Sequence, residues 1–213
     1  MEMKRPHGVY LVVDPKRDWP ELLRQLTRAL EGGLGLVQVW NHWAEGISRK
    51  QKLDFLGEVA ARCGEYGVPV LMHEDWALAR EAGLQGVHFD EIPADPAAIR
   101  MALEGSMIGV TVGNDLEKIE RAGELGVDYI SFCAVFPSSS VGSCEIVRPE
   151  NIRAARGVTD VPIFLSGGIR PGNLSRLAGL DFDGVAVISG ILDAADPAAA
   201  VAAYRGALLE LKN

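Results

Sequence analysis

The chain has 213 residues, 48% of them hydrophobic and 23% charged, which excludes a disordered protein and suits one compact globular domain. Twenty-one basic residues against 29 acidic ones give a net charge of −8, arguing against nucleic acid or an anionic membrane surface as partner. No apolar run approaches the ~20 residues of a membrane span. The three cysteines (Cys63, Cys133, Cys144) lack metal-type spacing, so reduced thiols in a cytoplasmic protein are the plain reading.

From the N-terminus the chain runs into a β-branched segment, Val9–Val13, with no apolar signal sequence before it. A helical pattern follows over residues 19–32. Strand patterns then recur at Gly35–Val39, Val68–Met72, Gly86–Phe89, Met107–Thr111, Tyr129–Phe132, Pro162–Leu165 and Gly184–Ile188. Helical patterns alternate with them over 49–66, 75–82, 95–104, 115–125, 149–156, 171–178 and 196–211. The fifth is typical: Leu116, Ile119 and Ala122 are spaced for one buried face. Three links repeat a phrase, Gly33-Leu-Gly-Leu-Val-Gln38, Gly83-Leu-Gln-Gly-Val-His88 and Gly126-Val-Asp-Tyr-Ile-Ser131, each placing a glycine helix stop before an apolar strand. Eight βα repeats without a linker or composition break predict a single α/β domain over residues 1–213, a closed (β/α)8 TIM barrel.

In such a barrel, chemistry sits at the C-terminal ends of the strands. Those ends carry Asp14, Gln38, Trp40 and His42 from the first two units, and His73, Glu74, His88, Asp90, Glu91 and Thr111 from the next three. Ser138, Ser139, Ser140, Ser166 and Ser189 follow. The segment contains no nucleophile elbow, Walker loop, dinucleotide fingerprint or zinc-binding helix. His42, His73 and His88 at the ends of strands 2, 3 and 4 could meet beside Glu74 and Glu91, a set suited to acid/base work or a metal. Alternatively His88 packs inside the barrel, and His42 and His73 merely line a polar pocket.

The last two units, Val161-Pro-Ile-Phe-Leu-Ser-Gly-Gly-Ile169 and Asp183-Gly-Val-Ala-Val-Ile-Ser-Gly-Ile191, each end a strand in small residues before a helix. Small residues leave backbone N–H groups accessible, and the loops after strands 7 and 8 commonly hold phosphate. The other reading is that Gly167, Gly168 and Gly190 only permit tight turns.

Several stretches together resemble the thiamine-phosphate synthase and thiazole tautomerase family from Val9 to about Tyr204. They are Val9-Tyr-Leu-Val-Val-Asp14, Leu34-Gly-Leu-Val-Gln-Val39, Leu84-Gln-Gly-Val-His-Phe89, Ile108-Gly-Val-Thr-Val112 and Gly126-Val-Asp-Tyr-Ile-Ser-Phe-Cys-Ala-Val-Phe-Pro137, with the two glycine-bearing units above. The resemblance implies a small barrel, often a homodimer, acting on small phosphorylated substrates in thiamine biosynthesis. Its synthases join a thiazole phosphate to a hydroxymethylpyrimidine diphosphate, releasing pyrophosphate with Mg2+.

Carried over by position, the resemblance implies substrate binding by Gln38 and Trp40, and catalysis by His42, His73 and Thr111. It implies phosphate binding by Ser138, Ser140, Gly167, Gly168, Ile188 and Ser189, and a metal on Glu74. The chain departs from the family where charge is expected. Trp40 and His42 replace a basic pair, His73-Glu74 replaces Asn-Asp, Pro93 occupies the second metal carboxylate, and Val141 replaces a lysine. Ala134 stands where the tautomerase carries its catalytic histidine. Two other classes therefore stay open: an acid/base enzyme on a phosphorylated thiazole-like ligand, and a non-catalytic binder that keeps the phosphate site.

Overall fold

The structure, a computed structural model, describes residues 5–124, 126–137 and 145–211. Eight parallel strands close into a barrel in sequence order: β1 (Gly8–Val13), β2 (Leu36–Val39), β3 (Val70–His73), β4 (Gly86–Phe89), β5 (Met107–Thr111), β6 (Tyr129–Phe132), β7 (Ile163–Ser166) and β8 (Gly184–Val187), with β8 paired back to β1. The helices are α1 (Trp19–Glu31), α2 (Arg49–Glu65), α3 (Trp76–Glu81), α4 (Pro96–Ala102), α5 (Leu116–Glu124), α6 (Pro149–Val158), α7 (Ser189–Leu192) and α8 (Pro197–Leu211). Among the described residues, no helix is long and apolar enough to cross a membrane.

Two departures from the expected elements lie near the site. The seventh helix is a 3-10 helix, Pro171–Leu177, because Gly172 is a poor α-helix former and the Asn173 side chain turns back to Arg170 N (2.8 Å) and Gly168 O (2.9 Å). The extra turn α7, directly after β8, had no sequence signal of its own. The three glycine stops behave as expected, with φ of 92°, 66° and 61° at Gly33, Gly83 and Gly126.

Strand alternation sorts the core into two bodies. One cluster, Tyr10, Leu36, Leu71, Met107, Tyr129, Phe164 and Ala186, fills the barrel interior; the larger one packs the outer strand faces on the helices. Inside, the rings of Tyr10, Tyr129 and Phe164 meet edge to face at 5.3 to 6.0 Å between centroids. Glycine makes the room: a Cβ on Gly109 would collide with the Tyr129 ring. At the lower rim, a polar side chain just before each of β4, β6 and β8 reaches across to an N–H of the preceding strand. Gln85 accepts from Val70 N (2.8 Å), Asp128 from Ile108 N (2.6 Å) and Asp183 from Ile163 N (2.9 Å). Arg100 and Arg156 pair with the two aspartates. These bonds satisfy strand-end donors that would otherwise be exposed or orphaned.

Candidate functional site

A cavity of about 780 Å3 opens at the C-terminal end of the barrel. Its floor is a chain of hydrogen bonds. The Tyr10 hydroxyl donates to Gln38 Oε1 and lies 3.0 Å from the Tyr129 hydroxyl, which is 2.8 Å from His88 Nδ1; His88 Nε2 is 2.9 Å from Thr111 Oγ1. Burial pushes the His88 pKa down to about 3, so the imidazole is neutral and has one donor and one acceptor. Burial likewise raises both tyrosines, keeping their protons in place. With Tyr10 donating to Gln38, each hydroxyl passes the polarity on: Tyr129 donates to Tyr10, His88 Nδ1–H to Tyr129, and Thr111 to His88 Nε2. The Thr111 oxygen is thereby left as an acceptor in the cavity wall. His88 thus packs inside the barrel with both nitrogens hydrogen-bonded, while one side of the ring still lines the cavity.

The sequence-derived residues divide into those that line the cavity and those that do not. Gln38, Trp40, His73, Thr111, Gly167, Gly168, Ile188 and Ser189 all line it. His42 does not. Its ring lies tilted against that of Trp40 at 4.4 Å, with Nδ1 3.1 Å from Asp14 and Nε2 3.4 Å from Lys16 Nζ, contacts that hold it outside the lining. Glu74 is also outside the lining. It holds a left-handed backbone (φ 63°) because its N–H reaches His88 O (2.9 Å) and its carboxylate accepts from Asp90 N (2.7 Å), tying the end of β3 to that of β4. Ser138, Ser140 and Val141 lie outside the described residues.

Gly167 and Gly168 have φ of 85° and 65°. A Cβ on Gly167 would strike Ala134, and one on Gly168 would lie 2.5 Å from Pro137 O. The loop after β6 packs onto them, with Val135 N bonded to Ser166 O (2.8 Å) and Phe136 N to Gly167 O (3.1 Å). Tight loop contact therefore requires both glycines, whatever else they bind. Their N–H groups have no acceptor among the described residues.

Three charged residues received no role from sequence. Lys118, nearly buried, sends Nζ to Asp90 O (2.6 Å) and Glu91 (2.8 Å) and lines the cavity. Only its neighbours on α5 carried an apolar signal, and nothing in the spacing marked the lysine itself. Asp90 pairs with His73 Nε2 at 3.0 Å, and that bond holds its carboxyl below the usual carboxylate range. Arg170 faces the cavity from the loop after β7. Among the described residues, four carboxylates (Asp90, Glu91, Asp115, Asp193) thus face two cations (Lys118, Arg170) in the lining.

The family profile described as thiamine monophosphate synthase matches residues 9–191. The chain belongs to the thiamine monophosphate synthase family. A thiamine-phosphate synthase of Xanthomonas campestris pv. campestris (strain 8004) is 33% identical over 204 residues, 95% of this chain and 96% of its own length. One of Halorhodospira halophila is 32% identical over 194 residues, covering 91% and 90%. The solved thiamine phosphate pyrophosphorylase of Pyrococcus furiosus superposes with a TM-score of 0.82 at 20% identity, covering 97% of each chain, which supports the barrel fold.

The family's Mg2+ is a poor match to this donor set. His73, Glu74 and Asp90 can each turn one ligand atom to a common point, but one of the three is an imidazole nitrogen. Mg2+ requires near-ideal octahedral oxygen coordination and sheds water reluctantly. Pro93 has no side-chain donor to offer.

Proposed function

We propose that this chain is a thiamine-phosphate synthase, joining a thiazole phosphate to a hydroxymethylpyrimidine diphosphate with release of pyrophosphate. The carrying observation is the end-to-end match to thiamine-phosphate synthases, in a barrel whose mouth holds a cavity of about 780 Å3. That volume suits two small ligands side by side. In this reading the thiazole phosphate lies against the N–H groups of Gly167 and Gly168 and against Ile188 and Ser189, with Ser138, Ser140 and Arg170 adding donors. Gln38, Trp40 and Thr111 hold the pyrimidine, the Thr111 oxygen accepting from an amino group. His73 stands at the diphosphate end. Lys118 supplies fixed positive charge where pyrophosphate departs, in place of the lysine lost at Val141. The implied homodimer belongs to the same reading, and sedimentation of the purified chain tests it.

A second reading is supported by the acidic excess of the lining, which repels a free diphosphate: a binder or acid/base enzyme for a phosphorylated ligand alone. Incubating the purified chain with both substrates, with Mg2+, with Mn2+ and with chelator, and measuring thiamine phosphate as fluorescent thiochrome, separates the two. Product above the enzyme-free rate is expected. Thiazole phosphate binding without product under every condition would establish the second reading and overturn the first.

A further inference from the structure

Gln38 is joined to Thr111 through a row of groups that carry one proton each: the Tyr10 and Tyr129 hydroxyls, the His88 imidazole and the Thr111 hydroxyl. In such a row every hydrogen points the same way, because a reversal anywhere sets two protons or two lone pairs against each other. The two ends are therefore opposite in character. Gln38 Oε1 is taken by Tyr10, which leaves the amide Nε2, unpartnered among the described residues and not enclosed, as a donor. Thr111, its proton turned to His88 Nε2, is left as an acceptor. Both residues line the cavity.

We propose that Tyr129, which touches no ligand, determines which pyrimidine the cavity accepts, by holding the His88 proton on Nδ1 and so keeping Thr111 an acceptor. The inference rests on the pyrimidine placement above and adds the class selected: a ring bearing an amino group, in preference to its oxo counterpart.

Tyr129 is 0% exposed and lies outside the cavity lining, so it reaches a ligand only through the row. Its ring is packed edge to face between Tyr10 and Phe164, which fixes the position of its oxygen. That oxygen accepts from His88 Nδ1 because its own proton goes to Tyr10, whose proton goes to Gln38. A neutral imidazole with its proton on Nδ1 has a bare Nε2, which only a donor satisfies, and Thr111 is that donor. An aminopyrimidine then donates an N–H to Thr111 and accepts at a ring nitrogen from Gln38. In the same pose a pyrimidinone presents the reverse pair, a carbonyl to Thr111 and a ring N–H to Gln38, so lone pair meets lone pair and proton meets proton. Without the Tyr129 hydroxyl, either imidazole tautomer keeps the bond to Thr111 and the bias is lost.

Calorimetry of the purified full-length chain with hydroxymethylpyrimidine, and with the counterpart in which a ring carbonyl replaces the amino group, gives two affinities. Their ratio is insensitive to partial unfolding, since both scale with the same folded fraction. The wild type should favour the amino form by at least about tenfold. Tyr129→Phe should reduce that preference to within about threefold, whereas Asp183→Ala, which breaks bonds at the far rim, should keep it. Thr111→Val should lose the preference and Thr111→Ser retain it. Nitrogen-15 NMR of the ligand-free wild type, which requires no variant to fold, should place the His88 proton on Nδ1; His88 is the ring that stays neutral down to about pH 5. The proposal is overturned if that proton lies on Nε2, or if the wild type shows no preference, binding of neither compound included. It is overturned equally if folded Tyr129→Phe keeps the preference, or if Asp183→Ala erodes it as far. Thiamine phosphate formation is scored separately: preference without product defeats the synthase reading alone, and product without preference defeats this inference alone.

Discussion

Replacing Tyr129 with phenylalanine removes one oxygen atom and leaves the ring in its glycine-made slot above Gly109. That oxygen lies between the Tyr10 hydroxyl (3.0 Å) and His88 Nδ1 (2.8 Å), and the three residues are 1%, 5% and 0% exposed for Tyr10, His88 and Tyr129. Tyr10 keeps its bond to Gln38, so the neutral imidazole bears most of the penalty, as a donor stranded in an apolar interior. A lost hydrogen bond plus one unsatisfied buried group amounts to about 2–4 kcal/mol. In a chain of this length the thermal midpoint, followed by circular dichroism, should fall by roughly 4–16 °C. Tyr10→Phe should be destabilising too, and the double variant should cost less than the two singles added, because they share one bond. If Tyr129→Phe melts within about 0.5 kcal/mol of wild type, the linked hydrogen-bond chain is not a stabilising unit. Thr111 would then not be oriented through it.

Gly168→Ala should destabilise the barrel by about 1–2 kcal/mol for its left-handed backbone, more for the contact with Pro137, and should weaken binding of inorganic phosphate measured by calorimetry; Gly172→Ala, with open space at its Cβ, should change phosphate binding little. Cys63 is fully buried and its thiol is pushed up to about 12 by burial, so it should resist Ellman's reagent at pH 8 until the chain is denatured. Because that value is raised above the unfolded one near ~9, its contribution is complete below pH 9 and is lost as pH rises toward 12. Stability of the wild type should therefore fall more steeply over that range than stability of Cys63→Ala. Asp183→Ala orphans the Ile163 amide and leaves Arg156 only the more exposed Asp181 as ion partner, and should cost about 2–4 kcal/mol by thermal unfolding, whereas alanine at the exposed Glu117 should cost under about 0.5.

The barrel was legible because its evidence is repetitive. Eight apolar runs alternate with amphipathic ones, and a strand buried on both faces advertises itself regardless of partner. Gly33, Gly83 and Gly126 marked helix ends through one local requirement, a positive φ. Gln38, His73, Thr111 and the Gly167–Gly168 pair could be placed because strand ends map directly onto the barrel mouth. The sequence placed His42 there too, but two residues beyond Trp40 the chain has already left the strand, and Asp14 from another unit holds the imidazole aside. Lys118 was invisible for the opposite reason. It sits on a helix, and only the three-dimensional path of its long side chain brings the ammonium over the end of β4. Asp90 stood in the right place, but its pairing with His73 depends on two strands whose register no local pattern reveals.

The side chains that close the lower rim span only 15, 20 and 20 residues of sequence, joining β3 to β4, β5 to β6 and β7 to β8. The first pair lacks such a residue: Gly35 occupies its place, and any Cβ there would strike the His7 carbonyl. Taken as the doublets β1–β2, β3–β4, β5–β6 and β7–β8, three of the four are thus fastened by a residue carried on the doublet itself, needing nothing from the far side of the ring. Strand ends usually exchange their amide protons first, yet the Val70, Ile108 and Ile163 amides are locked by contacts their own two-strand segments supply. The unit fastened at this rim is therefore the doublet, and a cut made between doublets leaves these three side-chain bonds whole.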